Sequence, residues 1–175
     1  MKIKKEEKKF THAEVYAVAL DVLEQLLPFC VRAEICGSVR RGKPFPKDLE
    51  LLIIPKPYTT GAVESGIALV VNRWVKVKGE LVYGKTRYTQ RLLPSGIKLD
   101  LFICTDETNW GYLYALRTGS ADFNKKVLFS GLKSRGFKCK DGYVFRDGEK
   151  LEVREEINLF RMAGVLYKEP SERNL

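Results

Sequence analysis

Two carboxylates at the start of an apolar run constrain this chain more than any other feature. Asp48 and Glu50 stand two residues apart in the segment KDLELLII, where leucine and isoleucine alternate with them. This period of two predicts a β-strand with both acids on one face and apolar side chains on the other. Because an acid beside a buried strand is costly without a partner, we expect a cation nearby.

A third acid, Asp100, stands in a similar run, KLDLF. If the two strands are neighbours, three carboxylates converge at one sheet edge and repel each other. Mg²⁺ resolves such a conflict, because it favours carboxylate oxygens together with phosphates and water. Two such ions roughly 3.5–4 Å apart can activate an attacking hydroxyl and stabilise a leaving phosphate. The alternative is that each acid pairs with a nearby base, as Asp48 could with Lys47.

A glycine-serine turn ten residues upstream favours the metal interpretation. Gly37 and Ser38 open the segment GSVRRG, which ends in a basic pair and a second glycine. Backbone N–H groups and a hydroxyl at such a turn can bind a phosphate, and Arg40 and Arg41 can add charge-assisted hydrogen bonds. A phosphate-binding turn followed by metal-binding acids is a specific arrangement.

Four motifs together resemble DNA polymerase family X, within the polymerase-beta nucleotidyltransferase superfamily. GSVRRG followed by KDLELLI resembles the superfamily signature, and KLDLFI resembles the strand that carries the third acid. RTGSADFNKK resembles the segment that begins the thumb, and INLFRMAGVLYKEPSERN resembles the closing segment of the family. The resemblance covers residues 10–174. It implies a metal-dependent DNA polymerase that fills gaps in DNA repair and lacks the lyase domain common in this family.

The resemblance also implies individual roles. Asp48, Glu50 and Asp100 would hold two Mg²⁺ ions, for which Mn²⁺ can substitute, and Asp100 would lie nearest the primer 3′ hydroxyl. Glu50 departs from the aspartate of the well-known members. The residues implied to bind the nucleotide are Gly37, Ser38 and Arg41 at the triphosphate and Gly119, Ser120 and Asn124 at the sugar and base.

Clustered positive charge predicts a polyanionic partner. The formal net charge is +9, and between residues 117 and 140 seven Lys or Arg stand against one acid. Between residues 73 and 91 there are six against one. Such clusters favour phosphate contacts, although a solubilising surface is the alternative. Together with the family X resemblance, this charge implies a primer–template or gapped DNA duplex and dNTPs as partners, and we expect a monomer. The residues predicted to contact DNA are Lys98, Lys125, Lys126 and Lys133.

Hydrophobic periodicity predicts an α+β fold. The periodicity indicates a mixed sheet with helices on one face, followed by a smaller α/β unit. The family X resemblance implies that residues 1–105 form a nucleotidyltransferase palm domain and residues 106–175 a thumb subdomain. The predicted helices span residues 10–29, 62–74, 109–119, 121–135 and 154–164. The predicted strands span residues 32–36, 48–54, 74–78, 81–84, 87–93 and 97–104, followed by a hairpin at 137–145.

Cysteine, histidine and hydropathy patterns exclude several classes. The four cysteines form no C-x-x-C pair, which favours free thiols in a reducing compartment, whether cytoplasmic or associated with a virus or nucleoid. A single histidine excludes most histidine-based metal and triad chemistry. The basic start has no apolar segment typical of a secretion signal. Nor does any apolar run reach the roughly 20 residues of a membrane helix, so no membrane partner is expected.

Two alternative functions stay open. Leu116 and Arg117 replace an aromatic pair that, in the family, screens the sugar 2′ position. This favours a ribonucleotide-tolerant enzyme, and a template-independent nucleotidyltransferase is the related possibility. The other alternative is a DNA-binding relative that has lost catalysis.

Overall fold

The computed structural model describes residues 9–56, 66–79 and 88–175, and it has the predicted α+β fold. Five strands form a mixed sheet in the order β1–β2–β5–β4–β3. Strands β2 and β5 run parallel, and the other neighbouring pairs are antiparallel. The strands are β1 (Cys30–Ile35), β2 (Leu49–Pro55), β3 (Val75–Gly79), β4 (Tyr88–Leu92) and β5 (Lys98–Ile103).

Two helices share a core on one face of this sheet, while Trp110 packs against Leu52 on the other face. Helix α1 (His12–Leu26) begins at a capping box between Thr11 and Glu14, and α3 (Gly66–Val71) shares its core. The short helix α2 (Gly37–Arg40) forms the glycine-serine turn. The buried positions of α1 are three or four residues apart, which places them on one helix face. They are Val15, Ala19, Val22 and Leu26.

Alternation along β2 and β5 places one set of apolar side chains against α1 and α3 and both acids on the other side. The buried residues on the side that meets these helices are Leu49, Leu51, Ile53, Leu99, Leu101 and Ile103. Each such burial contributes about 1.5–3 kcal/mol, so this pattern fixes which side of each strand meets the helices. The intervening side chains project from the opposite side of the sheet, which carries Glu50, Gln90 and Asp100 and, next to them, Leu52 and Phe102. We call this side the acidic face.

The C-terminal half has its own sheet and core. Strands β6 (Lys138–Lys140), β7 (Tyr143–Arg146) and β8 (Glu149–Leu151) form an antiparallel sheet. Its core contains the buried Phe123, Leu128 and Phe160. That this half is a separate subdomain from residue 106 stays a prediction. Its helices are α4 (Trp110–Thr118), α5 (Ala121–Phe123), a π-helical stretch (Asn124–Phe129), α6 (Ser130–Ser134) and α7 (Glu156–Ala163).

Local sequence signals in this half are confirmed in several places. Ser120 caps the helical segment that follows it by accepting a hydrogen bond from the Phe123 N–H at 3.2 Å. The Asp141–Gly142 turn joins β6 to β7, and Gly164 ends α7 with φ = +70°. Strand β8 was not predicted, because its three residues carry no clear alternation. The strand predicted at 81–84 and the start of the helix predicted at 62–74 lie outside the described residues.

Thiols and helix lengths agree with part of the sequence expectations. All four cysteines are free; three are buried and Cys139 is exposed. Within the described ranges, no helix is both long enough and apolar enough to cross a membrane. The histidine, His12, has a structural role, since its Nε2 lies 2.9 Å from the Val39 carbonyl oxygen.

Candidate active site

Strand pairing brings the predicted acids together. Glu50 and Asp100 are direct partners on the parallel strands β2 and β5, and neighbouring strands lie roughly 4.8 Å apart. Asp48 is half-buried and precedes β2 by one residue, rather than belonging to the strand as predicted. Asp100 is only 8% exposed. The condition set by the sequence, that the two acid-bearing strands be neighbours, is therefore met.

The electrostatics of this edge reflect an excess of negative charge. Burial, followed by the carboxylates of Asp48 and Asp100, raises the pKa of Glu50 to about 7, although Arg41 and Arg117 oppose the shift. Burial and the Asp100 carboxylate also raise the pKa of Asp48. Among the described residues, none of the three acids forms an ion pair. The alternative of a local pair between Asp48 and Lys47 is thus not observed.

The chemistry of this set fits a hard divalent cation. All three donors are carboxylates, and a cation would relieve the repulsion that raises the pKa values of Glu50 and Asp48. In the described part of the chain, no three Asp, Glu, His or Cys side chains are already arranged around a metal position. The three carboxylates are nevertheless donors of the type that Mg²⁺ prefers, and they lie on one face of the sheet. Asp48, Glu50 and Asp100 are the residues that would hold Mg²⁺.

The glycine-serine turn lies directly against the acidic face. Gly37 has φ = +61°, and a Cβ atom there would lie 1.6 Å from Glu50 Oε2. Glycine is required at this position both by the backbone conformation and by the close approach. The Ser38 hydroxyl oxygen is buried and has no hydrogen-bond partner among the described residues. An orphaned hydroxyl at the start of a turn, beside these acids, fits a phosphate ligand.

Arg41 connects this turn to the C-terminal half. Its Nη1 donates to the Thr118 carbonyl oxygen, and its Nε donates to Asn174 Oδ1 at 2.9 Å. Gly119 has φ = +67°, and a Cβ there would lie 3.0 Å from Arg41 Nη1. The structure therefore places Arg41, Gly119 and the neighbouring Ser120 together, as the predicted nucleotide site requires. Arg41 Nη2 has no hydrogen-bond partner in the described part of the chain, so it can bind a ligand.

Asn124, predicted to face the base, is buried in this structure. Its Nδ2 donates to the Leu116 carbonyl oxygen at 2.9 Å, and its Oδ1 has no partner among the described residues. Leu116 packs against the core of the C-terminal half. The Arg117 guanidinium lies 3.9 Å from the centre of the Phe102 ring, on the acidic face.

Arg40, which the sequence suggested as a phosphate contact, is held by Glu156 and Thr118. Its guanidinium makes two hydrogen bonds of 2.9 Å to the Glu156 carboxylate and one of 2.6 Å to the Thr118 hydroxyl. It also lies 3.8 Å from the centre of the Tyr114 ring. Arg40 thus links α2 to α4 and α7, and Arg41 is the arginine of this turn that can still bind a phosphate.

The lysines predicted to contact DNA are all exposed. Lys98 begins β5 on the same face as Asp100, and Lys126 lies 3.6 Å from Asp122 in an ion pair on its own helical segment. The four residues are Lys98, Lys125, Lys126 and Lys133.

The basic stretch at 73–91 contributes less surface charge than its sequence suggests. Arg91 is 3% exposed and donates to the Thr89 hydroxyl and the Trp74 carbonyl oxygen. Burial lowers the pKa of Arg91. It therefore cannot serve as a phosphate contact, and residues 80–87 lie outside the described ranges.

Two residues of this site were missed from the sequence. Tyr88 and Gln90 on β4 both donate hydrogen bonds to Asp100. Their alternation in RYTQRLL placed them on one strand face, but only the pairing of β4 with β5 shows that this is the acidic face. That pairing is a long-range property, which local patterns do not encode.

Neither a protein-family model nor a curated protein matches this chain. The resemblance to family X therefore depends on the four motifs. Residues from separate motifs, Glu50 and Asp100, meet at the acidic face.

Proposed function

We propose that this chain is a metal-dependent DNA polymerase of the family X type, which adds dNTPs to a primer 3′ hydroxyl and fills gaps during DNA repair. The observation that carries the proposal is the pairing of Glu50 with Asp100 on parallel strands, directly against the Gly37 turn. Carboxylates and a phosphate-binding turn at one place fit nucleotidyl transfer better than a binding role alone.

Each residue of the site has a task in this reaction. The Gly37 backbone, the Ser38 hydroxyl and Arg41 would bind the triphosphate, and Asp100 would lie nearest the primer terminus. The primer 3′ hydroxyl releases its proton to water and its oxygen bonds to the α-phosphorus, the bond from that phosphorus to the bridging oxygen breaks, and pyrophosphate leaves toward Arg41. Mg²⁺ at the carboxylates would supply positive charge for the attacking and leaving oxygens. Gly119 and Ser120 would lie beside the sugar.

Nucleotide incorporation on defined substrates tests this proposal. Matched gapped duplex, single-stranded DNA and single-stranded RNA should each be offered with dNTPs and with NTPs. We expect incorporation opposite the template on gapped DNA with dNTPs. Addition without a template, or equal use of NTPs, would favour the alternative enzymes instead. Tight binding of gapped DNA without any incorporation would favour a non-catalytic relative.

DNA binding should weaken steeply with salt. If the four exposed lysines each neutralise one phosphate, the slope of log affinity against log salt is about −3.6. Affinity should then fall roughly 100-fold between about 50 and 200 mM salt. Fluorescence anisotropy with a labelled gapped duplex measures this slope. A flat dependence would show that these lysines form only a solubilising surface.

Single substitutions sharpen the salt measurement. Lys125→Gln and Lys133→Gln should each reduce the steepness of the slope by about 0.9, because each removes one counterion-releasing contact. Lys56→Gln is the control: Lys56 is also exposed, but it follows β2 at the end opposite Asp48, where its Nζ donates to the Pro28 carbonyl oxygen at 2.7 Å. It should leave the slope unchanged. If Lys56→Gln reduced the slope as much as Lys125→Gln, the effect would be one of general charge rather than of a DNA-binding surface.

A further inference from the structure

The carboxylate of Asp100 is held asymmetrically. Its Oδ1 accepts one hydrogen bond from the Tyr88 hydroxyl at 2.5 Å and another from Gln90 Nε2 at 2.8 Å. A carboxylate oxygen has two lone-pair directions, so these two donors saturate Oδ1. Oδ2 has no hydrogen-bond partner within the described ranges. The two oxygens of one carboxylate therefore have different surroundings.

The Tyr88 hydroxyl is placed by the packing of its ring. The ring stacks on Phe102 with centroids 5.1 Å apart. Nζ of Lys78, a residue of β3, lies 5.7 Å from the centre of the Tyr88 ring. Tyr88 and Phe102 are direct partners on β4 and β5, so the stack follows from strand register. A hydroxyl on a ring fixed in this way has little freedom to leave Asp100.

Both donors keep their protons at neutral pH. A tyrosine hydroxyl has an ordinary pKa of about 10, so the Tyr88 hydroxyl stays protonated and donates a hydrogen bond to Asp100 Oδ1. Gln90 is 8% exposed, and its amide N–H cannot be lost by titration. Both groups thus act as fixed donors to one oxygen.

We propose that Tyr88 and Gln90 are positioning residues that fix Asp100 through Oδ1 and leave Oδ2 as the oxygen for a divalent cation. The inference depends on the proposed function, since it concerns how the same site is organised. Residues that orient a metal ligand contribute about 10- to 100-fold to metal affinity or activity. Tyr88 and Gln90 would therefore determine how well the acidic face binds its cation, without touching the nucleotide.

Tyr88→Phe is the decisive variant, because it keeps the ring stack and removes only the hydroxyl. Binding of Mn²⁺ alone to the full chain can be followed by the loss of the free-ion electron paramagnetic resonance signal. We expect Tyr88→Phe to bind Mn²⁺ about 10- to 100-fold more weakly than wild type. In nucleotide incorporation its kcat should fall while its KM for dNTP stays unchanged. Gln90→Met should behave in the same direction, since it also removes a donor to Oδ1.

Matched variants separate this effect from a general loss of structure. Tyr143→Phe removes a tyrosine hydroxyl on β7, in the other sheet, and should leave Mn²⁺ affinity and thermal unfolding unchanged. If the bound Mn²⁺ is the ion at the acidic face, Asp48→Ala should also weaken Mn²⁺ binding. Wild-type Mn²⁺ affinity in Tyr88→Phe would overturn the positioning role while leaving the proposed function intact. Absence of both Mn²⁺ binding and incorporation in the wild type would instead overturn the proposed function, and this inference with it.

Discussion

Replacing the carboxylate of either Asp48 or Asp100 by an uncharged side chain should abolish nucleotide transfer while the protein stays folded. We expect Asp48→Ala and Asp100→Asn each to reduce single-turnover incorporation at least about a thousandfold, equivalent to roughly 4 kcal/mol of transition-state stabilisation. Neither acid forms an ion pair among the described residues, so the loss should come from catalysis. Because neighbouring carboxylates repel each other, removing one should leave the melting temperature unchanged or slightly higher.

The choice of Asn at position 100 keeps the local structure. Its Oδ1 can still accept from Tyr88 and Gln90, whereas Ala would leave both donors without a partner. Asp100→Ala should also be inactive but less stable. Glu50→Asp should keep measurable activity, because a carboxylate stays on the same face. Near wild-type turnover with Mg²⁺ in Asp48→Ala or Asp100→Asn would contradict the two-metal interpretation, and unchanged gapped-DNA affinity would exclude misfolding as the cause of any loss.

Much of the site could be predicted because its signals are local. The alternation around Glu50 and Asp100 fixed which strand face each acid occupies, and Gly37 marked a backbone conformation that few residues adopt. The capping box at Thr11 and the helix cap at Ser120 were equally local. Such features depend on a few neighbouring residues, so a single sequence contains them.

The rest depended on contacts between distant segments. Arg40 looked like a phosphate-binding charge, but Glu156, 116 residues farther along the chain, accepts its hydrogen bonds. Tyr88 joined the site only through the pairing of β4 with β5. Asp48 lay in a strand-like pattern, yet the strand starts one residue later. Pairing and burial arise from the packed fold, and no pattern within ten residues determines them.

Glu156 is the residue whose replacement should cost the most stability. It is 5% exposed and accepts paired hydrogen bonds from two arginines, Arg40 and Arg173, with the Tyr167 hydroxyl donating at 3.0 Å. This carboxylate joins α2, α7 and the turn Pro170–Arg173. Removing the acid from a buried ion pair typically costs about 3–5 kcal/mol, since the remaining charge is uncompensated. Here two guanidinium groups would be left without their carboxylate.

Glu156→Gln should therefore lower the free energy of unfolding in urea by about 3–5 kcal/mol. The matched control is Glu152→Gln, which breaks an exposed ion pair with Arg154, whose N–O distance is 2.8 Å. That change should cost less than about 1 kcal/mol, because water screens exposed charges. Equal losses of unfolding free energy in the two variants would show that the buried ion pairs of Glu156 stabilise the protein no more than an exposed pair. The C-terminal half should also hold Arg41 less firmly, which limited proteolysis near Asn174 can detect.

The ionised Glu156 carboxylate should also make the stability of the protein depend on pH. Burial alone would raise the pKa of Glu156, but hydrogen bonds from Arg40 and Arg173 outweigh it and lower the pKa from an ordinary 4.5 to about 2. The folded protein therefore prefers the ionised form, and its stabilising contribution is complete above about pH 5 and lost as pH falls toward 2. A shift of this size corresponds to about 3 kcal/mol. Urea unfolding of the wild type between pH 6 and 2 should show this loss, and Glu156→Gln, which cannot ionise, should lack it. Parallel curves for the two proteins would mean that the arginines do not stabilise the ionised carboxylate.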